Sequence, residues 1–197
     1  MTSTTSPSVS TVANAEKERA ISTIMTAFTA DPPARWILPD PHQYLTHFAE
    51  LVRRFCGSAF DNQSGFVAED FMGAALWLPP GVDPDGEGMG VWITEVVPEE
   101  DQDKVSAFFD EMDKYHPHEP IWYLAMIGVD PSRQGGGLGS ALMSHALERV
   151  DRDGKPAYLE ATTTRSRDLY ARHGFEVIGT IQAADSPTMY PMLRKAR

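Results

Sequence analysis

The chain has 197 residues, a formal net charge of −11 at pH 7 and one cysteine, Cys56. The length fits one domain with a full core, the acidic balance excludes the basic face a nucleic-acid binder needs, and no apolar run nears the ~18–20 residues of a membrane helix. Cys56 has no internal disulfide partner and sits beside Phe55 in an apolar helical pattern, so it reads as a small core residue. With no signal or transit segment at the N-terminus, it predicts a cytoplasmic protein.

In chain order, residues 1–13 are Ser/Thr-rich and read as a disordered tail ahead of a single domain over 14–197. Ile21, Ile24, Met25 and Phe28 recur at helical spacing and predict a helix over 15–29, capped by Asn14 and stopped by Asp31-Pro32-Pro33. Tyr44, Leu45, Phe48, Leu51, Val52 and Phe55 are expected on one side of a second helix over 41–60. Two short strands, 65–69 and 73–78, meet at a turn on Glu69-Asp70. Residues 79–90, dense in Gly, Pro and Asp, read as a loop, and 91–115 as a helical region broken at Pro98. Then come a strand (121–129), a helix (138–152), a strand (157–161), a helix (165–173) and two strands (175–182 and 188–194). This order predicts an α/β fold of three layers with a mixed, mostly antiparallel central sheet, in which 121–161 forms a parallel crossover.

The glycine cluster between strand 121–129 and helix 138–152 is the most informative segment. A P-loop would need a Lys after Gly139, and a dinucleotide fingerprint would need Gly where Ser140 stands. What remains is Gln134-x-x-Gly137-x-Gly139, preceded by Arg133. Backbone N–H groups of Gln134, Gly135, Gly136, Gly137, Leu138, Gly139 and Ser140 can converge on an anion, aided by the positive end of the following helix. The turn therefore suits a phosphate-bearing ligand, with Arg133 adding a side-chain contact.

This turn resembles the pyrophosphate loop of the GNAT superfamily of N-acetyltransferases, Q/R-x-x-G-x-G/A. Leu169-Tyr170-Ala171-Arg172-His173-Gly174-Phe175 resembles that family's L-Y-x-x-x-G-F block. Segments 27–35, 120–125, 158–161 and 189–195 are similar to the puromycin N-acetyltransferase branch. The likeness is strongest from Glu119 onward. It implies a GNAT-like α/β/α fold whose strands 121–129 and 157–161 splay apart to admit the pantetheine arm of acetyl-CoA, which would pair with Ile127, Gly128 and Val129. It implies cofactor contact at Ser166, where the puromycin-type pattern has Asn. The activity implied is acetyl-CoA-dependent transfer to the primary amine of a small molecule, such as an aminonucleoside antibiotic, directly in a ternary complex. A protein or peptide N-acetyltransferase and a non-catalytic CoA-sensing module are the alternatives.

Transfer expels a thiolate that needs a proton, and Tyr170 is the candidate acid. A phenol near ~10 against a thiol near ~8.5 makes donation uphill by roughly 2 kcal/mol, tolerable if transfer is concerted or if the site lowers the phenol's pKa. The amine must be neutral to attack, and Glu160, at the end of strand 157–161, is the leading base, with a structural carboxylate the equal reading. His116, His118 and Glu119 form a weaker alternative. Many family members carry an acidic residue inside the central strand; 121–129 has none. Phe28, Asp31, Trp36, Trp77 and Trp92 are candidates for the acceptor pocket, with Asp31 either pairing with a cationic substrate or capping a helix. The scattered histidines predict no metal. The expected partner is a small amine, with no nucleic acid or membrane, and the chain suits a monomer or a homodimer.

Overall fold

A computed structural model describes residues 7–197. The elements are β1 (Val9–Thr11), α1 (Lys17–Ala27), α2 (Pro32–Ile37), α3 (Pro41–Cys56), α4 (Ser58–Asp61), β2 (Gly65–Ala68), β3 (Gly73–Leu78), α5 (Gly86–Val96), α6 (Glu99–Asp113), β4 (Trp122–Val129), α7 (Leu138–Arg152), β5 (Ala157–Ala161), α8 (Thr164–Arg172), β6 (Glu176–Val177) and β7 (Tyr190–Arg194). The seven strands form one open sheet in the order β1-β2-β3-β4-β5-β7-β6. Every neighbouring pair is antiparallel except β4–β5, which is parallel, as the crossover through α7 requires. Helices α1 to α6 cover one face and α7 and α8 the other, so the fold is the expected three-layer α/β arrangement.

Several elements depart from the sequence reading. Within the supposed tail, Val9–Thr11 pairs with Phe66–Ala68 as an edge strand, because alternating short residues can extend one more rung of a sheet; residues 1–6 lie outside the described part. Asn14 does not cap α1: it opens a 3-10 turn over Asn14–Glu16 that precedes the helix. Asp31-Pro32-Pro33 ends α1 but also starts α2. The Asp31 carboxylate accepts from the Ala34 N–H at 3.1 Å, and the prolines occupy first-turn positions where a missing N–H is harmless. In the same way Asp85 caps α5 by accepting from Gly88 N–H at 2.9 Å, so half of the expected 79–90 loop is helical. The expected strand over 175–182 shrinks to β6 and one isolated bridge, Ile181 to Met189.

Two irregularities in β4 position the site. Strand alternation sends Ala74, Leu76 and Leu78 of β3 toward α1 to α6, and Ala75 and Trp77 toward α7 and α8. In β4 the alternation breaks: Leu76 pairs with Met126 and Trp77 with Leu124, leaving Ala125 as an extra residue. This bulge turns both Ala125 and Met126 toward the α1–α6 side. At the same place β4 parts from β5. The two pair only at Trp122–Leu124 with Ala157–Leu159, while β4 runs on to Val129 beside β3 and β5 to Ala161 beside β7. The sheet is thus wedged open, and among the described residues the β5-facing edge of β4 pairs with no strand beyond Leu124. Helix α1 crosses this edge so closely that a Cβ on Gly128 would lie 2.4 Å from the Ala27 Cβ. On the far side Arg194, 3% exposed, joins β7 to α7 through two bonds to Asp151 (2.6 and 2.9 Å) and to α8 through the His173 carbonyl (3.1 Å).

Candidate active site

The wedge opens into a cleft of about 570 Å³. Its lower wall is the turn from β4 to α7. Asp130 accepts from the backbone and hydroxyl of Ser132 (2.8 and 2.5 Å), which holds its carboxyl below the ordinary range and pins the start of the turn. Gly135 and Gly137 have φ of +84° and +85°, which an L side chain rarely adopts, and Gly137 is the N-cap of α7. A Cβ at either would meet no heavy atom within 4 Å, so the turn presents open backbone to the cleft. Arg133, Gln134, Gly135, Gly137, Leu138, Gly139 and Ser140 all line it, as do Ile127, Gly128, Val129 and Ser166; Gly136 does not.

Two of these residues also have a local structural role. The Gln134 side chain is committed to the protein: its Nε2 donates to the Val129 carbonyl at 3.2 Å and its Oε1 accepts from Arg165 Nη1 at 2.9 Å. It latches the turn to α8. Ser166 forms a capping box with Thr163, and its hydroxyl donates to the Thr163 carbonyl at 2.9 Å, so it fixes the start of α8. Sequence reasoning missed Arg165 and Arg172, which with Arg133 bring three cations to the cleft wall of a chain with net charge −11. The cluster of Arg165, Arg167 and Arg172 just after β5 was the available signal. Glu at position 137 would add an anion to this wall and force a side chain into the left-handed region at about 1–2 kcal/mol. Gly137→Glu is therefore expected to weaken CoA binding at least tenfold in a calorimetric titration, with a melting temperature lower by only about 2–8 °C; an unchanged Kd would remove the anion role of the turn.

Above the turn stand the ionisable groups. The period of β5 puts Tyr158 and Glu160 on one face, opposite Tyr123 of β4. Glu160 is half-buried, and it lines both the cleft and a second cavity. Its Oε2 accepts from the Tyr123 hydroxyl at 2.8 Å. Burial pushes its pKa up to about 7, and the tyrosine hydrogen bond only partly opposes this. The capping box starts α8 three residues after β5, which brings Tyr170 to the cleft wall, packed against Phe175 at 6.3 Å. Its hydroxyl has no hydrogen-bond partner among the described residues. Burial, then the charges of Asp31 and Glu160, raise its pKa; the site does not lower the phenol's pKa as one sequence-based expectation allowed. Asp31 caps α2 and also accepts from the Thr162 hydroxyl at 2.6 Å, and burial raises its pKa. His116 packs edge-on against Tyr123 and Tyr158 (4.9 and 5.1 Å), outside both cavities, and His118 and Glu119 are exposed, so none of the three stands beside the cleft.

The second cavity, about 80 Å³, adjoins the cleft. The two share Phe28, Asp31, Ala125, Met126, Glu160 and Thr162, which form its mouth. The remaining wall comes from α2, α3 and α6, with Phe48, Phe55, Phe108, Phe109 and Met112 prominent, and from Tyr123 and Met189. Phe28 and Asp31 thus line this cavity, and the three tryptophans do not. Trp36 lies behind the wall against Phe108, ring centroids 5.5 Å apart. Trp77 is fully buried in the opposite layer, because its β3 position alternates away from the cavity. Trp92, 3% exposed, fills the core under α5. The adjacent Phe108 and Phe109 in an otherwise acidic helix were the sequence sign of an apolar wall wider than one helix stripe.

Among the described residues no three His, Cys, Asp or Glu side chains converge to hold a metal ion, and no helix is long and apolar enough to cross a membrane. Residues 50–175 match the Acetyltransferase (GNAT) family. A mycothiol acetyltransferase of Acidothermus cellulolyticus is 30% identical over 150 residues, 75% of this chain and 40% of that protein. One from Mycolicibacterium gilvum is 38% identical over 80 residues, 36% of this chain and 26% of that protein. The chain therefore spans about a quarter to two fifths of the length of these relatives. A Corynebacterium glutamicum structure described as histone acetyltransferase HPA2 and related acetyltransferase is 27% identical and superposes with a TM-score of 0.70 over 98% of both chains. Arylalkylamine N-acetyltransferase 2 from Aedes aegypti shares the fold at 15% identity, with a TM-score of 0.66 over 98% of this chain and 100% of that one. With a family match over more than half its length and a sheet wedged open above a glycine turn, the chain belongs to the GNAT acetyltransferase family.

Proposed function

We propose that the protein is an acetyl-CoA-dependent N-acetyltransferase that moves an acetyl group to the primary amine of a small molecule by direct transfer in a ternary complex. The observation that carries this reading is the place of Glu160: a carboxylate with a pKa near 7 on the wall shared by the cleft and the apolar cavity. The cleft fits CoA. It offers open backbone at two left-handed glycines, three arginines for phosphate, and an unpaired strand edge for the amides of an extended arm. Bound there, acetyl-CoA would supply the acetyl group as an activated thioester.

The chain's own residues then manage protons. A lysine-like amine with a pKa of ~10.4 is neutral less than about 0.1% of the time at pH 7, so attack needs a base. Glu160 takes that proton at a pKa matched to neutral pH. Tyr170 holds a proton at its Oη for the leaving sulfur. The negative charges of Asp31 and Glu160 keep that proton on, at the expense of acid strength. When Glu160 becomes protonated, one of the two charges vanishes and Tyr170 becomes a better acid, so the two transfers favour each other. Cys56 is not a nucleophile for an acetyl-enzyme: it is buried and its thiol is pushed well above the ordinary range. The small cavity, about 80 Å³, favours a small molecule over a protein segment, and a base of this pKa favours turnover over sensing. The puromycin-like motifs and the mycothiol acetyltransferase relatives point to different acceptors, so the acceptor is read from the cavity itself. A cytoplasmic location belongs to the same reading, supported by the free, buried Cys56.

The test is thiol release from acetyl-CoA with and without an amine panel. Release should depend on amine, with intersecting double-reciprocal lines. Parallel lines would overturn direct transfer, and CoA binding without amine-dependent release would return the chain to a sensing role.

A further inference from the structure

We propose that the acceptor is a primary amine on a short, apolar, preferably aromatic body, and not a diamine, a guanidino amine or an amino sugar. This rests on the N-acetyltransferase reading and narrows it. The polar groups of the cavity stand at one end only. Asp31, Glu160 and Thr162 belong to the mouth. Behind the mouth every wall residue is apolar except Tyr123, whose hydroxyl is already bound to Glu160 at 2.8 Å.

An ammonium group is therefore drawn to the mouth, between two carboxylates and beside the cleft, while the rest of the molecule must enter an apolar chamber. A second cation would be buried there without a counter-charge, and each sugar hydroxyl would leave water without a partner. An aryl ring meets the opposite reception. Phe55 and Phe109 (6.3 Å, 49°) and Phe108 and Phe109 (5.7 Å, 72°) already hold tilted and edge-to-face geometry that a ligand ring can join. Size agrees. A water needs about 10–15 Å³ of such volume, so the cavity of about 80 Å³ takes roughly five to eight water-sized groups, the bulk of one ring on a short linker.

The experiment is steady-state kinetics of the full chain with acetyl-CoA and five amines: 2-phenylethylamine, tyramine, putrescine, agmatine and glucosamine. The expected kcat/KM for 2-phenylethylamine exceeds those for putrescine, agmatine and glucosamine by at least about 100-fold, with tyramine between, because an apolar pocket rejects one added hydroxyl by no more than ~10²-fold. Met112→Glu places a carboxylate behind the mouth and should raise the agmatine to 2-phenylethylamine ratio at least tenfold, with CoA affinity as the check on folding. If that variant does not fold, the wild-type panel decides alone. Equal or better turnover of glucosamine, agmatine or putrescine overturns the acceptor class and leaves the acetyltransferase reading standing. CoA binding with no amine acetylated overturns both.

Discussion

Glu160→Gln is expected to lower kcat/KM for a strongly basic amine by about 10²–10⁴-fold, the usual worth of a general base. CoA affinity should stay as it is, because the amide keeps the oxygen that accepts from Tyr123 and adds no bulk. The pH profile separates loss of a base from loss of shape. In the wild type the base must be ionised, so activity falls as pH drops through about 7. The variant lacks that limb, and weakly basic amines suffer less than strongly basic ones. Stability moves the other way. The folded pKa is raised from 4.5 to about 7, so the unfolded chain releases the proton first, and stability falls as pH rises from 4.5 through about 7. A shift of about 2.5 units corresponds to about 3.4 kcal/mol, reduced to about 1–2 kcal/mol because the carboxyl borders two cavities open to water. The variant should thus melt higher than the wild type at pH 8 and alike at pH 4. An unchanged profile for basic amines would remove Glu160 from the chemistry.

Tyr170→Phe is expected to reduce kcat by about 10²–10⁴-fold while melting temperature and CoA affinity barely move. The hydroxyl has no hydrogen-bond partner among the described residues, so its removal leaves no stranded donor or acceptor behind. Ring packing on Phe175 is retained. Burial and the nearby carboxylates hold the phenol protonated, so Tyr170 contributes no alkaline limb to the wild-type profile up to pH about 10, its ordinary value. Steady-state and single-turnover rates over pH 6–9 make the test. A variant that keeps full kcat while chemistry is rate-limiting has lost nothing that mattered.

The sequence was most readable where backbone geometry and residue type are tied together. Gly135 and Gly137 are needed because the turn runs through positive φ, and the glycine cluster between an apolar run and an amphipathic segment made the β4-turn-α7 unit readable. The places of Tyr170 and Glu160 beside the cleft were legible because each lies within an element whose period is unambiguous. The apolar cavity was not. Its walls come from α2 and α3 and, far along the chain, from α6, and an aromatic pattern does not say which aromatic faces a hole. Trp77 and Trp92 were the largest apolar side chains on offer, and size sends such residues to the core first. The bulge at Ala125 was silent as well: one extra residue in an apolar run changes no composition, yet it reverses the facing of everything after it.

The wedge has a consequence for how long the molecule lasts. The sheet is two leaves, β1 to β4 and β5 with β7 and β6, and only three residue pairs stitch them. An extended ligand lying along β4 becomes the missing thread, and ligand that binds only the folded chain adds about 2.7 kcal/mol of stability at a hundred times its Kd. On the acetyltransferase reading, the lifetime of the chain against unfolding and proteolysis is then coupled to how fully CoA or its thioester fills the cleft.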